Sequence, residues 1–318
     1  MAISQKGPAF ELTFTRPTNA ADGERLTKPL EIEIFRTLTK PGEKLPATPP
    51  GSRAWLTLST GDLAQFAEGE KIVFMARFSD TEFAQWQGAS FAFAVRGLTH
   101  GFRNRVLESE PSNIVRATLL DVSGPIENLR IKTAEKALDL SWTPPSRSLS
   151  GQALSSLSAY RVYWSQTGKP ASFQIRGETK TPTFSDSDFA FDHSYFYKVC
   201  AIFRQGDQEA ESEDSAITPI TPHDTFPPAP PTNVSALFTA SAVELVWTAN
   251  REPDLAGYNI YRREKEGVPQ KINVELLRTP TFEDRSVQLG HQYLYRVTSV
   301  DETRNESSPS EEVTVETR

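Results

Sequence analysis

Three aspartates, Asp80, Asp186 and Asp284, each stand two residues after a phenylalanine, and carboxylates are the usual carriers of general acid–base hydrolysis. The three recur at one turn of successive repeats, so they read as Asx-type turn residues that bond their own backbone, not as a catalytic set. The four histidines, His100, His193, His223 and His291, are scattered along the chain without the spacing of a zinc site. His193 and His291 precede Tyr195 and Tyr293 at equivalent repeat positions and read as turn residues. The sequence has no G-x-S-x-G, no P-loop, no G-x-G-x-x-G, no H-E-x-x-H and no EF-hand loop. The expectation is therefore no catalytic residue, no metal and no cofactor. The single cysteine, Cys200, rules out an internal disulfide. If Tyr197 and Val199 face the core, Cys200 points outward beside Lys198 as a bystander thiol.

Binding chemistry has more candidates. Trp86, Phe102, Trp55, Tyr163 and Tyr261 are aromatics that, if exposed, would stack on sugar rings or anchor a protein partner. Phe102 sits in a long loop, Gly97 to Ser109, with Arg96, Arg103 and Arg105 around it, which makes this the best single patch. The plainer reading is edge packing for the aromatics and a solvated turn for the loop. The net charge is −7, and no third of the chain is basic, so a nucleic-acid partner or an acidic membrane surface has little electrostatic support. No apolar run approaches the ~20 residues needed to span a bilayer.

The elements that would hold these residues are legible as a repeat. Leu157-Ser-Ala-Tyr160-Arg-Val162-Tyr163 matches Leu255-Ala-Gly-Tyr258-Asn-Ile260-Tyr261 at an offset of 98, and the blocks beginning at Thr181 and Tyr195 match those at Thr279 and Tyr293 at the same offset. Upstream, Leu138-Asp-Leu140-Ser-Trp142 matches Val243-Glu-Leu245-Val-Trp247 at 105. The extra seven residues fall in the loop Pro144 to Gly151, where insertions belong. Apolar residues alternate within each block, the period of a half-buried strand.

The first third is a more divergent copy. Phe14 stands where the others have Trp142 and Trp247, and Asp22-Gly23 falls opposite Ser150-Gly151. Either Lys71 to Phe78 or Ser90 to Gly97 reads as the penultimate strand. The spacing favours the second, which aligns Phe91 with Tyr195 and Arg77-Phe78-Ser-Asp80 with Thr183-Phe184-Ser-Asp186. A first strand ahead of Phe10 is not evident. An insert of about 30 residues, Thr37 to Gly69, contains an extra strand at Trp55 to Leu58 and a short helix capped at Ser59 and ending at Gly69.

The chain resembles the fibronectin type III family over nearly its whole length, on the residues Trp142, Trp247, Tyr160/Val162, Tyr258/Ile260 and the Tyr-x-Tyr-x-Val strands at Tyr195 and Tyr293. The resemblance implies an all-β protein of three tandem immunoglobulin-like β-sandwiches in an elongated arrangement, over 1–123 with its insert at about 37–69, 124–222 and 223–318. Phe14, Trp142 and Trp247 then lie in cores. Tyr195 and Tyr293 make the family's tyrosine corner, and Phe91 lacks the hydroxyl for it. The prolines between Thr218 and Pro231 predict a semi-rigid spacer, and Gly124 predicts a hinge at the first junction.

The function implied is a non-catalytic binding, adhesion or spacer protein, extracellular or in a bacterial cell envelope. Its partner is a surface protein or polysaccharide. The alternative is a carbohydrate-binding accessory of a polysaccharide-degrading system. Lys6-Gly7-Pro8 also looks like the segment after the lipidated cysteine of some small bacterial lipoproteins.

Overall fold

The computed structural model describes residues 1–318 except 20–24, 26–29, 41, 44–52, 102 and 104. Asp22-Gly23, Phe102 and part of the insert thus lie outside the described residues. Contacts divide the chain into two compact units, Met1–Pro222 and His223–Arg318.

The first sandwich of unit 1 contains β1 (Ala2–Lys6), β2 (Ala9–Thr15), β3 (Glu31–Thr39), β4 (Leu56–Leu58), α1 (Thr60–Gln65), β5 (Ala67–Glu68), β6 (Lys71–Arg77), α2 (Asp80–Trp86), β7 (Ser90–His100), β8 (Val106–Glu108) and β9 (Val115–Thr118). One sheet runs β1-β2-β6-β5, and the other runs β4-β3-β7 with β8 and β9 both on β7. Ser90–His100 is therefore the penultimate strand, paired with β3 through Ile34↔Val95. The extra strand of the insert pairs with β3 through Ile32↔Leu58. Ser59 caps α1 in a reciprocal box with Asp62, but the helix ends at Phe66. Gly69 instead makes the β5–β6 turn at φ +64, a conformation that favours glycine.

The second sandwich contains β10 (Glu127–Thr133), β11 (Leu138–Thr143), β12 (Leu157–Ser165), β13 (Gln174–Thr179), β14 (Thr183–Asp186), β15 (Tyr195–Gln205), β16 (Gln208–Glu211) and β17 (Thr218–Ile220). Sheet β10-β11-β14 faces sheet β13-β12-β15 with β16 and β17. Along β11, Leu138, Leu140 and Trp142 are buried and Asp139, Ser141 and Thr143 are exposed. That alternation is what one covered face and one wet face require.

Unit 2 repeats the arrangement with β18 (Thr232–Thr239), β19 (Ala242–Thr248), β20 (Leu255–Glu264), β21 (Gln270–Lys271), β22 (Thr281–Asp284), β23 (Gln292–Asp301) and β24 (Val313–Glu316). Its sheets are β18-β19-β22 and β21-β20-β23-β24. Trp142 lies edge-on to Tyr160 at 5.3 Å and Trp247 to Tyr258 at 5.1 Å between ring centroids. Each such buried side chain contributes roughly 1.5–3 kcal/mol.

Two expectations for the first sandwich fail. Its first strand exists: β1 pairs antiparallel with β2 through Ile3↔Leu12. Only Gln5 of β1 is fully buried, so the strand carries no apolar alternation to find it by. Asp80 is not the counterpart of Asp186. Leu138 pairs with Asp186, whereas Phe10 at the matching place on β2 pairs with Ala76. Asp80 opens α2 behind the capping residue Ser79, and that helix fills the connection that is a plain turn elsewhere.

The junction at Gly124, where a hinge is expected, is bridged by pairing on both sides. β1 pairs in parallel with β16 through Gln5↔Ala210 and Lys6↔Glu211, so one sheet runs unbroken from the first sandwich into the second. The Gln5 amide bonds both the N–H and the C=O of Leu120, each at 2.8 Å. The long loop after Trp142 grips the junction from the other side. Leu149 N–H donates to the Val122 carbonyl at 2.8 Å, and the Ser150 hydroxyl bonds the Asp121 carboxylate. The seven-residue insertion is thus the clamp on the join.

Candidate functional site

Trp86 ends α2, half-buried against the core, while Arg103 and Arg105 lie past the far end of β7. An eleven-residue strand separates them, about 36 Å at roughly 3.3 Å per residue. Arg96 is held by Glu33, with Nε to Oε2 at 3.0 Å, and by Glu108, and its guanidinium lies 5.2 Å from the Phe35 ring centroid. The Arg105 carbonyl accepts from Gly101 N–H at 2.7 Å, closing the turn. Trp55 is 37% exposed but has Arg36 over its ring at 4.3 Å. Phe102 lies outside the described residues.

What unit 1 does gather is a polar cluster where β1 meets the second sandwich. Lys6 and Lys198 share Oδ2 of Asp214 at 2.8 and 2.7 Å. Arg161 pairs with Glu178, Glu209 and Glu211. Tyr163 donates to Glu211 at 2.7 Å, with both lysines near its ring. Burial works against the charge on Lys6, yet the Asp214 bond and the neighbouring carboxylates hold its pKa above the ordinary value. Cys200 does leave the sandwich core, where it forms a small cluster with Ala159, Ile202 and Tyr163, but it is fully buried. Its expected exposure is wrong because this cluster roofs it. Burial first, then Glu211 and Asp214, push the thiol pKa upward.

Among the described residues, two groups place three potential metal ligands within 4.8 Å: Cys200/Glu211/Asp214 and Asp224/Asp254/Asp301. In the first, lysines and arginine already neutralise the carboxylates. In the second, Asp301 accepts from Thr303 and Asn305.

Beside the polar cluster, on the same junction, lies a cleft of ≈ 570 Å³ lined by Gln87, Asp121, Gln152, Ser155, Arg204 and Gln205 among others. Its walls come from α2, the clamp loop and the β15–β16 turn. Nothing in the repeat pattern marks it, because it exists only where two repeats meet.

A buried triad recurs in the second and third sandwiches. Asp186 accepts from Tyr197 Oη at 2.6 Å and Arg176 Nε at 2.7 Å; Asp284 accepts from Tyr295 at 2.9 Å and Arg262 at 2.6 Å. Each aspartate also makes the expected Asx bond, to Asp188 N–H and Ser286 N–H. Burial opposes ionisation of Asp284, but the Ser286, Arg262 and Tyr295 bonds win and hold its pKa below the ordinary carboxylate value. The first sandwich replaces the triad with aromatics: Phe10 lies 5.6 Å from Phe78 and 5.2 Å from Phe91.

The corner tyrosines complete the picture. Tyr195 Oη accepts from Ala190 N–H at 2.9 Å and Tyr293 Oη from Gln288 N–H at 3.1 Å, each five residues upstream. In unit 2 a three-strand sheet faces a four-strand sheet, with this corner on the penultimate strand, and that arrangement decides the fold. The sandwiches have a fibronectin type III-like fold. The first sandwich carries its insert strand on the outer edge of β3 and its link to the second on β1.

No family model matches the chain. It is 32% identical to exoglucanase B of Cellulomonas fimi over 153 residues, which are 45% of this chain and 13% of that protein. The chain therefore spans a small part of that relative's length. Among solved structures it is similar to the chicken CNTN1 FN1–FN3 domains, with 16% identity over 99% of this chain and 97% of that chain and a TM-score of 0.31. A fibronectin type III-like protein from Clostridium thermocellum is 27% identical over 28% of this chain and 92% of that chain, with a TM-score of 0.25. No helix among the described residues is long and apolar enough to cross a membrane.

Proposed function

We propose that the chain is a non-catalytic spacer and accessory segment of an extracellular, polysaccharide-degrading system. Its domains follow the boundaries read from the repeat, and its first two form one stiff body. The observation that carries this reading is the parallel pairing of β1 with β16, backed by the clamp loop on Asp121 to Ser123. A strand hydrogen-bonded in two domains at once removes the rotation that a glycine linker would otherwise allow. Similarity to part of an exoglucanase supports the accessory role, and neutralised cations and carboxylates at the junction support a structural use of its charges. Adhesion through a protein partner and lipid anchoring are weaker proposals.

The test is ¹⁵N relaxation of the full chain. Amides of residues 1–123 and 124–222 are expected to report one common rotational correlation time. Two distinct times within residues 1–222 would overturn the stiff-body reading. Incubation with chromogenic polysaccharides is expected to release no product, and turnover that survives repurification would overturn the non-catalytic reading.

A further inference from the structure

We propose that the cleft between the first two sandwiches binds a segment of an uncharged polysaccharide; this rests on the accessory reading above and gives it a site and a ligand class. Three glutamines converge there from three separate elements: Gln87 just after α2, Gln152 on the clamp loop and Gln205 at the β15–β16 turn. A primary amide offers two donors and an acceptor in one plane, the complement of hydroxyl groups that also donate and accept. Among the described residues none of the three amide side chains is drawn into a hydrogen bond within the protein, so all three are available to a ligand.

The charges in the walls are already spoken for. Arg204 is paired with Glu178 at 3.0 Å and Glu209 at 2.7 Å, and Asp121 with the Ser150 hydroxyl and N–H. A phosphate or uronate would find no uncompensated cation and would meet the Asp121 carboxylate, which selects against an anionic ligand. Leu119 and Leu120 supply apolar lining but are buried, and no aromatic is among the described lining residues, so a flat or greasy ligand gains little. The size falls within the range of small-molecule sites. Both walls are fixed relative to each other by β1–β16 and by the two Gln5–Leu120 bonds, so binding forfeits little ordering entropy.

The experiment is native affinity electrophoresis of the full chain in gels containing hydroxyethylcellulose, pullulan or polygalacturonate. At least one of the two neutral polymers is expected to retard the wild type, and polygalacturonate is not. The triple variant Gln87→Ala, Gln152→Ala, Gln205→Ala is expected to weaken retardation by at least about fivefold. Ala153→Trp, at an exposed cleft position, is expected to abolish it by filling the space, with unchanged thermal melting. Retardation by a neutral polymer that survives both variants would overturn the cleft assignment while leaving the accessory reading standing. No retardation by either neutral polymer, or retardation by polygalacturonate alone, would overturn the assignment and the polysaccharide-binding part of that reading together, and the spacer role would still be judged separately by relaxation.

Discussion

Lys6 of the first sandwich and Asp214 of the second are joined nitrogen to oxygen at 2.8 Å, and Lys198 meets the same oxygen from the other side at 2.7 Å. One residue further on, Gly7 N–H donates to the Glu211 carbonyl at 2.8 Å. Gly7 has φ +57, and a Cβ there would come within 2.5 Å of the Glu213 side chain. Loss of the Lys6 ammonium leaves Asp214 still neutralised by Lys198, so Lys6→Ala is expected to cost about 1 kcal/mol or less. Gly7→Ala adds left-handed backbone strain of about 1–2 kcal/mol to the clash. Calorimetry is expected to show the two sandwiches of unit 1 unfolding together in wild type and Lys6→Ala, and in separate steps in Gly7→Ala.

Trp142 and Trp247 fill their cores, but neither indole N–H has a hydrogen-bond partner. Truncation to alanine is expected to cost roughly 3–5 kcal/mol at either position. Phenylalanine is expected to cost less than about 1.5 kcal/mol, because the smaller ring also removes an unsatisfied donor. Urea denaturation of each variant checks both figures, and equal losses for Ala and Phe would show that the indole is not simply packing.

Asp284 gives unit 2 its own response to acid. Its pKa is depressed in the folded state, so its stabilisation is fully present above the unfolded value near 3.9. It is lost as pH falls through the lower folded value. Asp284→Asn leaves Arg262 without its carboxylate and is expected to cost about 3 kcal/mol at neutral pH. The difference between wild type and variant should shrink below about pH 4. Thermal melting against pH reads this directly, and a difference independent of pH would assign the loss to shape instead of charge.

Cys200 is roofed and its thiol pKa is raised, so little thiolate forms at neutral pH. Native protein is expected to react with Ellman's reagent far more slowly than protein in guanidinium, and to remain free of disulfide-linked dimer under oxidation. Rapid native labelling would mean that the β1 strand detaches.

Much of this architecture was written in the spacing of a few residues. The offset of 98 between Tyr160 and Tyr258 and between Tyr195 and Tyr293 located the paired third and penultimate strands of two sandwiches. Alternation around Trp142 and Trp247 gave their inner faces. The misses share one cause. β1 is half polar because it is hydrogen-bonded on both edges across a domain junction, and its stability comes from the ladder and Gln5 instead of an apolar stripe. Cys200 was read from a single sandwich, where it faces outward, although the neighbouring strand and its lysine cover it. Asp80 was aligned by its phenylalanine neighbour, whereas strand register gives that place to Ala76. The glutamine cleft was invisible for the same reason as β1: it belongs to a contact between repeats, and periodicity reports only what happens within one.

The central claim, that the first two sandwiches are one stiff body, is tested most directly by a distance across their junction. Spin labels on Thr57→Cys and Lys132→Cys, both exposed positions, can be placed without replacing the buried Cys200. Double electron–electron resonance on the full chain is expected to give a single narrow distance distribution that broadens only with Gly7→Ala. A broad or multimodal distribution in the unmodified background would contradict the account.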